Sequence, residues 1–455
     1  MSVAALMAGP TKASVQTATS PTAGQQPQQL ALSFEDAAEL ARLGNSRVER
    51  AERSAKIAEL QVKSAKAAYF PRVDVAVSAN QSARGSVFHS QDVAFRQGLI
   101  GDFRGGISVS ANAPIDIAGI IGRRVQSTRI SETIAELELD RARTDTVADT
   151  QIAYLTALKA QRAAQLDSQV IASIRQLIGK AAKDSQPIIA FLGLELASAR
   201  QMANARTAEL ELTQDGLKRS LGLDPQVPLV LTSNLPEADR LKDIATLAGD
   251  LSQRHDLEVA RRRVELADLS VKQADDQRRP SIRAGVYLDQ YFGGKFVSDT
   301  GETSSRSVGL NLSLNFPLLN FDAGQSGNSK KIAQLQAEQA RSDWKDLRRQ
   351  AEYELKQANA SWERAVERVS ALPNPEHAAQ ALASAERNLL SAPADMAPTL
   401  LAQVTNARSA WRSAEGAAGD AAVDLAIAAI RWRKVEGRVL APAELLDQSK
   451  AASTS

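Results

Sequence analysis

The segment Ser313–Gln325 reads SLNFPLLNFDAGQ, and its pattern changes half-way along. From Val308 to Phe316 apolar and polar residues alternate, which is the two-residue period of a β-strand. Pro317 interrupts this alternation, and a turn that ends at Gly324 precedes a long stretch rich in Ala, Gln, Lys and Arg, which predicts a helix. The sequence therefore predicts a short strand that leads directly into a long helix.

The same transition occurs in the first half of the chain. Residues Ile107–Gly119 read ISVSANAPIDIAG, an alternating stretch followed by Pro114 and Gly119. Another helical pattern then runs from about Ile120 to Lys183. At a rise of about 1.5 Å per residue, a helix of about 60 residues is about 90 Å long, which exceeds the size of a compact domain.

A fixed offset relates the two halves. A helical seam with spacings of three and four occurs twice, 209 positions apart, as Ala51, Ala55, Ala58, Val62 and Ala65 and then as Ala260, Val264, Ala267, Val271 and Ala274. The same offset relates Pro71 to Pro280. Because a proline disfavours helix in the residue before it, the two helices are predicted to end at Phe70 and Arg279. The chain is thus predicted to be a tandem duplication.

The duplication divides the chain into four predicted segments. Residues 1–30 are interpreted either as the remnant of a signal peptide or as a disordered tail. The first structural repeat covers residues 31–235, and the second covers residues 236–440. Residues 441–455 are predicted to be a C-terminal tail.

Each repeat is predicted to contain a helix, a β-hairpin and a helical hairpin. The β-hairpins cover residues 72–114 and 281–317. The helical hairpins turn near residues 184–190 and 390–400, where prolines interrupt the helical pattern. Long antiparallel helical hairpins with a few strands place the chain in the α+β class.

The ends of the helices carry their own signals. Ser33 and Asp36 have the spacing of a capping box at the start of the first helix, which is predicted to continue through the seam that begins at Ala51. Gly222 and Gly437 are predicted to end the returning helices of the two repeats.

Composition excludes several classes of protein. Of the 455 residues, Lys and Arg account for 55 and Asp and Glu for 53, with the two signs interspersed, so a nucleic-acid partner is not predicted. The absence of Cys excludes disulfides, thiolate chemistry and a cysteine-linked lipid anchor. The chain contains no run of about 18 apolar residues, so a transmembrane helix is not predicted.

The sequence also lacks the signatures of a catalytic, cofactor or metal site. The three histidines, His89, His255 and His377, do not have the spacing of metal ligands. The Gly-Gly-Lys at Gly293 lacks the rest of a phosphate-binding loop. Acidic pairs such as Asp275 with Asp276 are interpreted as surface charge. The protein is therefore predicted to be neither an enzyme nor a cofactor-binding protein.

The ordered set of these features resembles the outer membrane efflux family, the TolC-like channel proteins. The resemblance is carried by the opening helix LSFEDAAELARLGN, by the Ala-rich seam that closes on AAYFPRVDVAVS, and by a second strand that ends in Pro with a Gly shortly after. The whole set then occurs a second time, and the resemblance covers roughly Leu32 to Gly437. The individual motifs are not specific, whereas their order and repetition are.

The resemblance implies a homotrimeric membrane protein. Each chain would contribute four strands to a shared twelve-stranded β-barrel in the cell outer membrane, and the helices would form an α-barrel, a tunnel in the periplasm. The trimer would be the passive exit duct of a tripartite efflux or type I secretion system. A periplasmic adaptor protein and an inner-membrane pump, either proton-driven or of the ABC type, would be its partners, together with outer-membrane lipid.

The resemblance also assigns roles to residues of the strands. The residues expected to face lipid are Val73, Val75, Val77, Ile282, Val286, Leu310, Leu312 and Leu314. The residues expected to face the lumen are Asp74, Ser78, Asn80, Ser108, Ser110, Asn112, Asn311 and Ser313. The junction between barrel and tunnel is expected at Pro71, Pro114, Gly119, Pro280, Pro317 and Gly324.

The tips of the helical hairpins are the expected periplasmic entrance, with Asp184, Pro187, Asp395 and Pro398 as candidate residues. The family's tips usually carry a Gly and then an acidic residue, and this sequence departs from that pattern. Asp184 and Asp395 are therefore interpreted either as charges that narrow the entrance or as solvated residues at helix ends.

A second interpretation of the whole chain stays open. Alternating strands are common in soluble sheets with one buried face, and Ala-rich seams are common in coiled coils. A soluble or surface-attached coiled-coil scaffold with no transport role would have both features. Such a scaffold would not require detergent.

Overall fold

Long helices and a four-stranded sheet make up most of the chain. The computed structural model describes residues 30–82, 102–180, 186–236, 250–276, 278–294, 303–316, 324–391 and 397–441. The helices are α1 (Phe34–Gly44), α2 (Ser46–Ala67), α3 (Ile120–Lys180), α4 (Gln186–Leu221), α5 (His255–Asp276), α6 (Gln325–Ser370), α7 (Pro375–Ser391) and α8 (Ala397–Val435). The strands are β1 (Leu30–Leu32), β2 (Arg72–Ser82), β3 (Asp102–Ile115), β4 (Leu229–Leu231), β5 (Ser281–Gly294) and β6 (Thr303–Asn315).

The predicted fold class is confirmed, and the two repeats keep their register. Helices α2 and α5 have 22 residues each, and their first residues, Ser46 and His255, stand at the predicted offset. Each helix is followed by two antiparallel strands and then by a long helix. The seam positions Ala58, Val62 and Ala65 are buried, as a coiled-coil contact requires.

Strands and helices follow the same lateral order. The four-stranded sheet is antiparallel, with the order β2-β3-β5-β6. Among the helices, α2 lies against α3, α3 against α5, and α5 against α6. These helices therefore form one layer, the wall, which extends the sheet. Each strand is continued by the helix next to it in sequence.

The remaining helices, α4, α7 and α8, lie in the half of the wall far from the sheet. Here α3 packs against α4, and α8 packs against α3, α6 and α7. Helix α3, with 61 residues, therefore runs through both halves of the wall. In the second repeat the corresponding path is divided between α6 and α7.

The largest buried cluster lies between the two halves of the wall. A parallel pair of short strands, β1 and β4, covers it, and the ring of Tyr154 meets the ring of Phe34 edge-on with centroids 5.5 Å apart. The Tyr154 hydroxyl donates a hydrogen bond to the Leu32 carbonyl oxygen at 3.0 Å. The sequence did not predict this pair of strands, because three residues are too few to show a period.

Helix ends differ in part from the predictions. The capping box at Ser33 and Asp36 is confirmed, but the opening helix ends at Gly44 and does not continue through the seam. Asn45 separates α1 from α2, since its side chain accepts the N–H of Arg47 at 2.8 Å and so begins a new helix.

The predicted ends of α2 and α5 are also three residues too late. The helices end at Ala67 and Asp276, before the positions predicted from the prolines. The chain then tightens into turns, in which the N–H of Phe70 donates to the Ala67 carbonyl and that of Arg279 to the Asp276 carbonyl. A turn therefore intervenes between each helix and its proline.

Gly222 and Gly437 follow the ends of α4 and α8 with φ angles of 70° and 82°, which confirms them as helix ends.

Replacing Gly437 by Ala is expected to lower the free energy of unfolding by about 1–3 kcal/mol, because L-residues are strained at this φ. The new Cβ would also lie 2.6 Å from the Gln253 carbonyl oxygen. Thermal unfolding followed by circular dichroism measures the loss.

Gly44→Ala is the matched control for that substitution. Gly44 is helical, and a Cβ there would have no neighbour within 4 Å. An unchanged or slightly higher midpoint of unfolding is expected for this variant. Equal midpoints for Gly437→Ala and the wild-type protein would contradict the prediction.

Candidate functional site

The four-stranded sheet has one apolar face. Its register places all eight residues predicted to face lipid on this side, together with Ala111, Val109 and Leu288 from the middle strands. The side chains are uncovered in the single chain: Leu310 is 85% exposed and Val77 is 78% exposed. No other described part of the chain covers this apolar face, and its geometry suits contact with lipid. The contact with lipid itself stays a prediction.

The opposite face is polar. The register places Asp74, Ser78, Asn80, Ser108, Ser110, Asn112, Asn311 and Ser313 on this side, where lumen-facing residues were predicted. The ring of Tyr287 lies over Gly309 on the neighbouring strand, where a Cβ would come within 2.5 Å of the ring. Gly309 therefore allows an aromatic side chain to lie flat on this face.

The sheet is open at both edges. Strands β2 and β6 are its outermost members, and each has one side that no other described strand pairs with. Unpaired edges of eleven and thirteen residues are long for a stable single chain. In folded proteins, strand edges of this length are usually paired or covered.

The junction between sheet and helices contains most of the residues predicted for it. Pro71 and Pro280 are exposed and directly precede β2 and β5. Gly119 and Gly324, with φ angles of 68° and 87°, directly precede α3 and α6. Pro317 lies outside the described residues.

Pro114 shows why a proline is accepted at this junction. It lies within β3, opposite Arg283 of β5. On the other side of β3 the pairing with β2 ends at Asn112, two residues earlier. Pro114 therefore has a neighbouring strand on one side only. Proline is accepted at such an edge position, because its missing N–H removes little of the hydrogen bonding between strands.

A buried ion pair joins the two repeats at this junction. Arg123 at the start of α3 donates to both carboxylate oxygens of Asp276 at the end of α5, through Nε at 2.7 Å and through Nη2. The Asp276 side chain is only 8% exposed, so its interpretation as surface charge was wrong. The hydrogen bond to Asp276 raises the pKa of Arg123, so the guanidinium stays charged.

Two further groups complete this cluster. Asp116 accepts hydrogen bonds from the N–H groups of Ile121 and Gly122 at 3.1 and 2.9 Å, which caps the start of α3. Arg123 also donates to the Ala118 carbonyl oxygen at 2.7 Å. The turn from β3 into α3 is thus held by charged hydrogen bonds on both sides. Asp276 lies 153 residues from Arg123 in the sequence, which is why the sequence did not reveal this ion pair.

The predicted entrance residues fall mostly at the edge of the described structure. Pro187 lies in the first turn of α4, and Pro398 is exposed in the first turn of α8, where proline is favoured. Asp184 and Asp395 lie outside the described residues. The helical hairpins are joined behind these tips by an apolar cluster that contains Ile174, Leu192, Leu401 and Val404.

A buried arginine also joins the hairpins. Arg408 of α8 is 3% exposed and donates hydrogen bonds to Glu195 of α4 at 2.8 Å and to Glu386 of α7 at 3.1 Å. The two carboxylates come from different repeats, so one guanidinium connects three helices. The sequence did not predict this group, because no local pattern brings the three residues together.

The comparisons with known proteins concern the chain as a whole. No protein-family model and no curated protein matches the chain. The outer-membrane channel OprN matches with 19% identity and a TM-score of 0.66, covering 89% of each chain. The open state of the MtrE outer-membrane channel of Neisseria gonorrhoeae matches with 16% identity and a TM-score of 0.66, again covering 89% of each chain.

A membrane protein from Pseudomonas aeruginosa matches with 16% identity and a TM-score of 0.67, over 89% of this chain and 90% of that one. The chain has the fold of the TolC-like outer-membrane channels. At these identities the similarity establishes the fold, so the roles of individual residues remain predictions.

The TolC-like fold accounts for features that are unusual in compact domains. It combines a wall of very long helices with a sheet that is open at both edges. None of the described helices is long and apolar enough to cross a membrane. Within the described ranges, no three His, Cys, Asp or Glu side chains group as ligands of a metal ion. OprN and MtrE, which share the fold, are channels.

Proposed function

We propose that this protein is a TolC-like outer-membrane channel, a homotrimeric passive duct from the periplasm to the exterior. The observation that carries the proposal is the open sheet with one exposed apolar face and one polar face. In hydrocarbon every backbone polar group needs a partner, so a sheet with free edges must close with copies of itself. Three copies of four strands would give a barrel of twelve.

The edges of the helical wall support the same assembly. Exposed apolar side chains occur on both outer helices beside the sheet, Ile57 and Leu60 on α2 and Ile332 and Leu335 on α6. In a ring, α6 of one chain would lie beside α2 of the next and bury these residues. Strands β6 and β2 would pair across the same boundary.

The direction of the duct follows from the two ends of the wall. Helix α3 has 61 residues and would extend about 90 Å away from the sheet. The tips at Pro187 and Pro398 would lie far from the membrane, where Asp184 and Asp395 are the candidate entrance residues. We propose that a periplasmic adaptor and an energised inner-membrane pump act at this end, since the duct has no energy source of its own.

Membrane separation and a mass measurement test the proposal. Cells that express the full chain are fractionated into inner and outer membranes, and the protein is purified in detergent. A trimer from the outer membrane that aggregates without detergent and conducts ions in a planar bilayer is expected. A monomer or dimer that stays in solution without detergent would contradict the proposal and favour the coiled-coil scaffold.

A further inference from the structure

A polar pair occupies the apolar face of β5 and β6, next to the last apolar residue of this face of β6, Val308. Gln290 of β5 lies opposite Arg306 of β6, and the register continues this row through Ile107 to Val77. Arg306 Nε donates a hydrogen bond to Gln290 Oε1 at 2.9 Å, so both side chains are on the same face. Arg306 is exposed and is the first charge on this face of β6 after four apolar residues.

The position of Arg306 can be compared with the thickness of a membrane. Phe316 is exposed at the helical end of the same face, ten residues after Arg306. Ten residues of strand are about 33 Å long, and a tilt of about 40° reduces this to a height of about 25 Å. The apolar band of an outer-membrane barrel is also about 25 Å tall. With Phe316 at the periplasmic boundary, Arg306 therefore lies at the outer one.

The chemistry of the pair is suited to a phosphate. A guanidinium has five N–H donors in a planar fork that matches phosphate oxygens. Gln290 accepts from Nε, and within the described part of the chain no other hydrogen bond or ion pair of Arg306 is found. Gln290 thus holds the guanidinium through Nε and leaves its terminal N–H groups without a partner in the described part of the chain. An arginine on a lipid-facing side is also tolerated best at the interface.

We propose that Arg306, positioned by Gln290, binds phosphate groups in the headgroups of outer-leaflet lipid. The inference rests on the proposed outer-membrane location and adds to it a specific lipid contact. Its partner is a phosphorylated glycolipid, since the row lies on the face predicted to contact lipid and at the end of the sheet far from the helices. In a trimer the contact would occur three times around the barrel.

The test uses the full-length trimer in phosphatidylcholine nanodiscs. Fluorescently labelled lipid A, either bis-phosphorylated or with its phosphates removed, is titrated into the nanodiscs, and its binding to the protein is measured. Wild-type protein is expected to prefer the phosphorylated form. Arg306→Gln is expected to weaken binding of that form by about tenfold, the effect of losing charge-assisted hydrogen bonds. Arg306→Lys, which keeps the charge and loses the fork, is expected to be intermediate.

Arg283→Gln is the matched control. Arg283 is exposed on β5 but belongs to the polar face, so its removal is expected to leave lipid A binding unchanged. Equal binding by wild-type protein and Arg306→Gln would overturn the inference. Displacement of the lipid by millimolar inorganic phosphate would also overturn it, because the site would then be one for free phosphate. A wild-type protein that is absent from the outer membrane would instead contradict the proposed function.

Discussion

Replacing Leu310 by Arg is expected to prevent most of the protein from assembling in the outer membrane. Leu310 is 85% exposed about half-way along the apolar side of β6, with Val286 opposite it on β5. An arginine at the membrane midplane of a β-barrel costs about 2–4 kcal/mol, and a trimer would contain three of them. The measurement is the amount of trimer in the outer-membrane fraction, compared with the wild-type protein at equal expression.

Asn311→Arg provides the control at the same depth. Asn311 is the next residue of β6, and the pleat places it on the polar face. Since the proposed lumen contains water, a charge there is expected to leave assembly unchanged. Equal loss of trimer in both variants would show that the strand does not tolerate arginine on either side. Wild-type amounts of trimer in both variants would show that Leu310 does not face lipid.

The contrast between Leu310 and Asn311 was visible in the sequence. A two-residue period needs only the strand itself, so the faces of β2, β3, β5 and β6 could be read from their own residues. The fixed offset between repeats added the order of the elements, because a helix seam, a proline and a strand face occurred together twice. The fold class therefore followed from local patterns and their repetition.

Other features depended on contacts that local patterns do not encode. Asp276 was interpreted as surface charge because its neighbours are charged, yet Arg123 from the other repeat buries it. Strands β1 and β4 are three residues long, and they pair only because the chain brings both to the cluster around Tyr154. In each case the partner comes from the other repeat or from the opposite end of the same one.

Arg408 makes another such contact, since its two carboxylate partners come from different repeats. Replacing Arg408 by Met is expected to lower the free energy of unfolding by about 3–5 kcal/mol, because a buried carboxylate loses its counter-charge. Glu195 and Glu386 are 17% and 24% exposed, so Glu195 is the more affected of the two. The thermal unfolding midpoint of the purified protein, followed by circular dichroism, measures the loss.

The control for Arg408 is an arginine in an exposed pair. Arg53 of α2 lies 2.9 Å from Glu49, and the two side chains are 74% and 49% exposed. Arg53→Met is expected to change stability by less than about 0.5 kcal/mol. An Arg408→Met variant with the stability of Arg53→Met would mean that the two glutamates are solvated in the folded protein.

A second substitution separates the loss of charge pairing from the loss of packing. If the unpaired carboxylate causes the instability, Glu195→Gln in the Arg408→Met background is expected to recover part of the lost stability, because it removes the buried charge. If packing of the arginine stem between α4, α7 and α8 is responsible, the double variant is expected to be no more stable than Arg408→Met. Since Arg408 connects helices of both repeats close to their tips, recovery would show that opposite charge holds the two hairpins together.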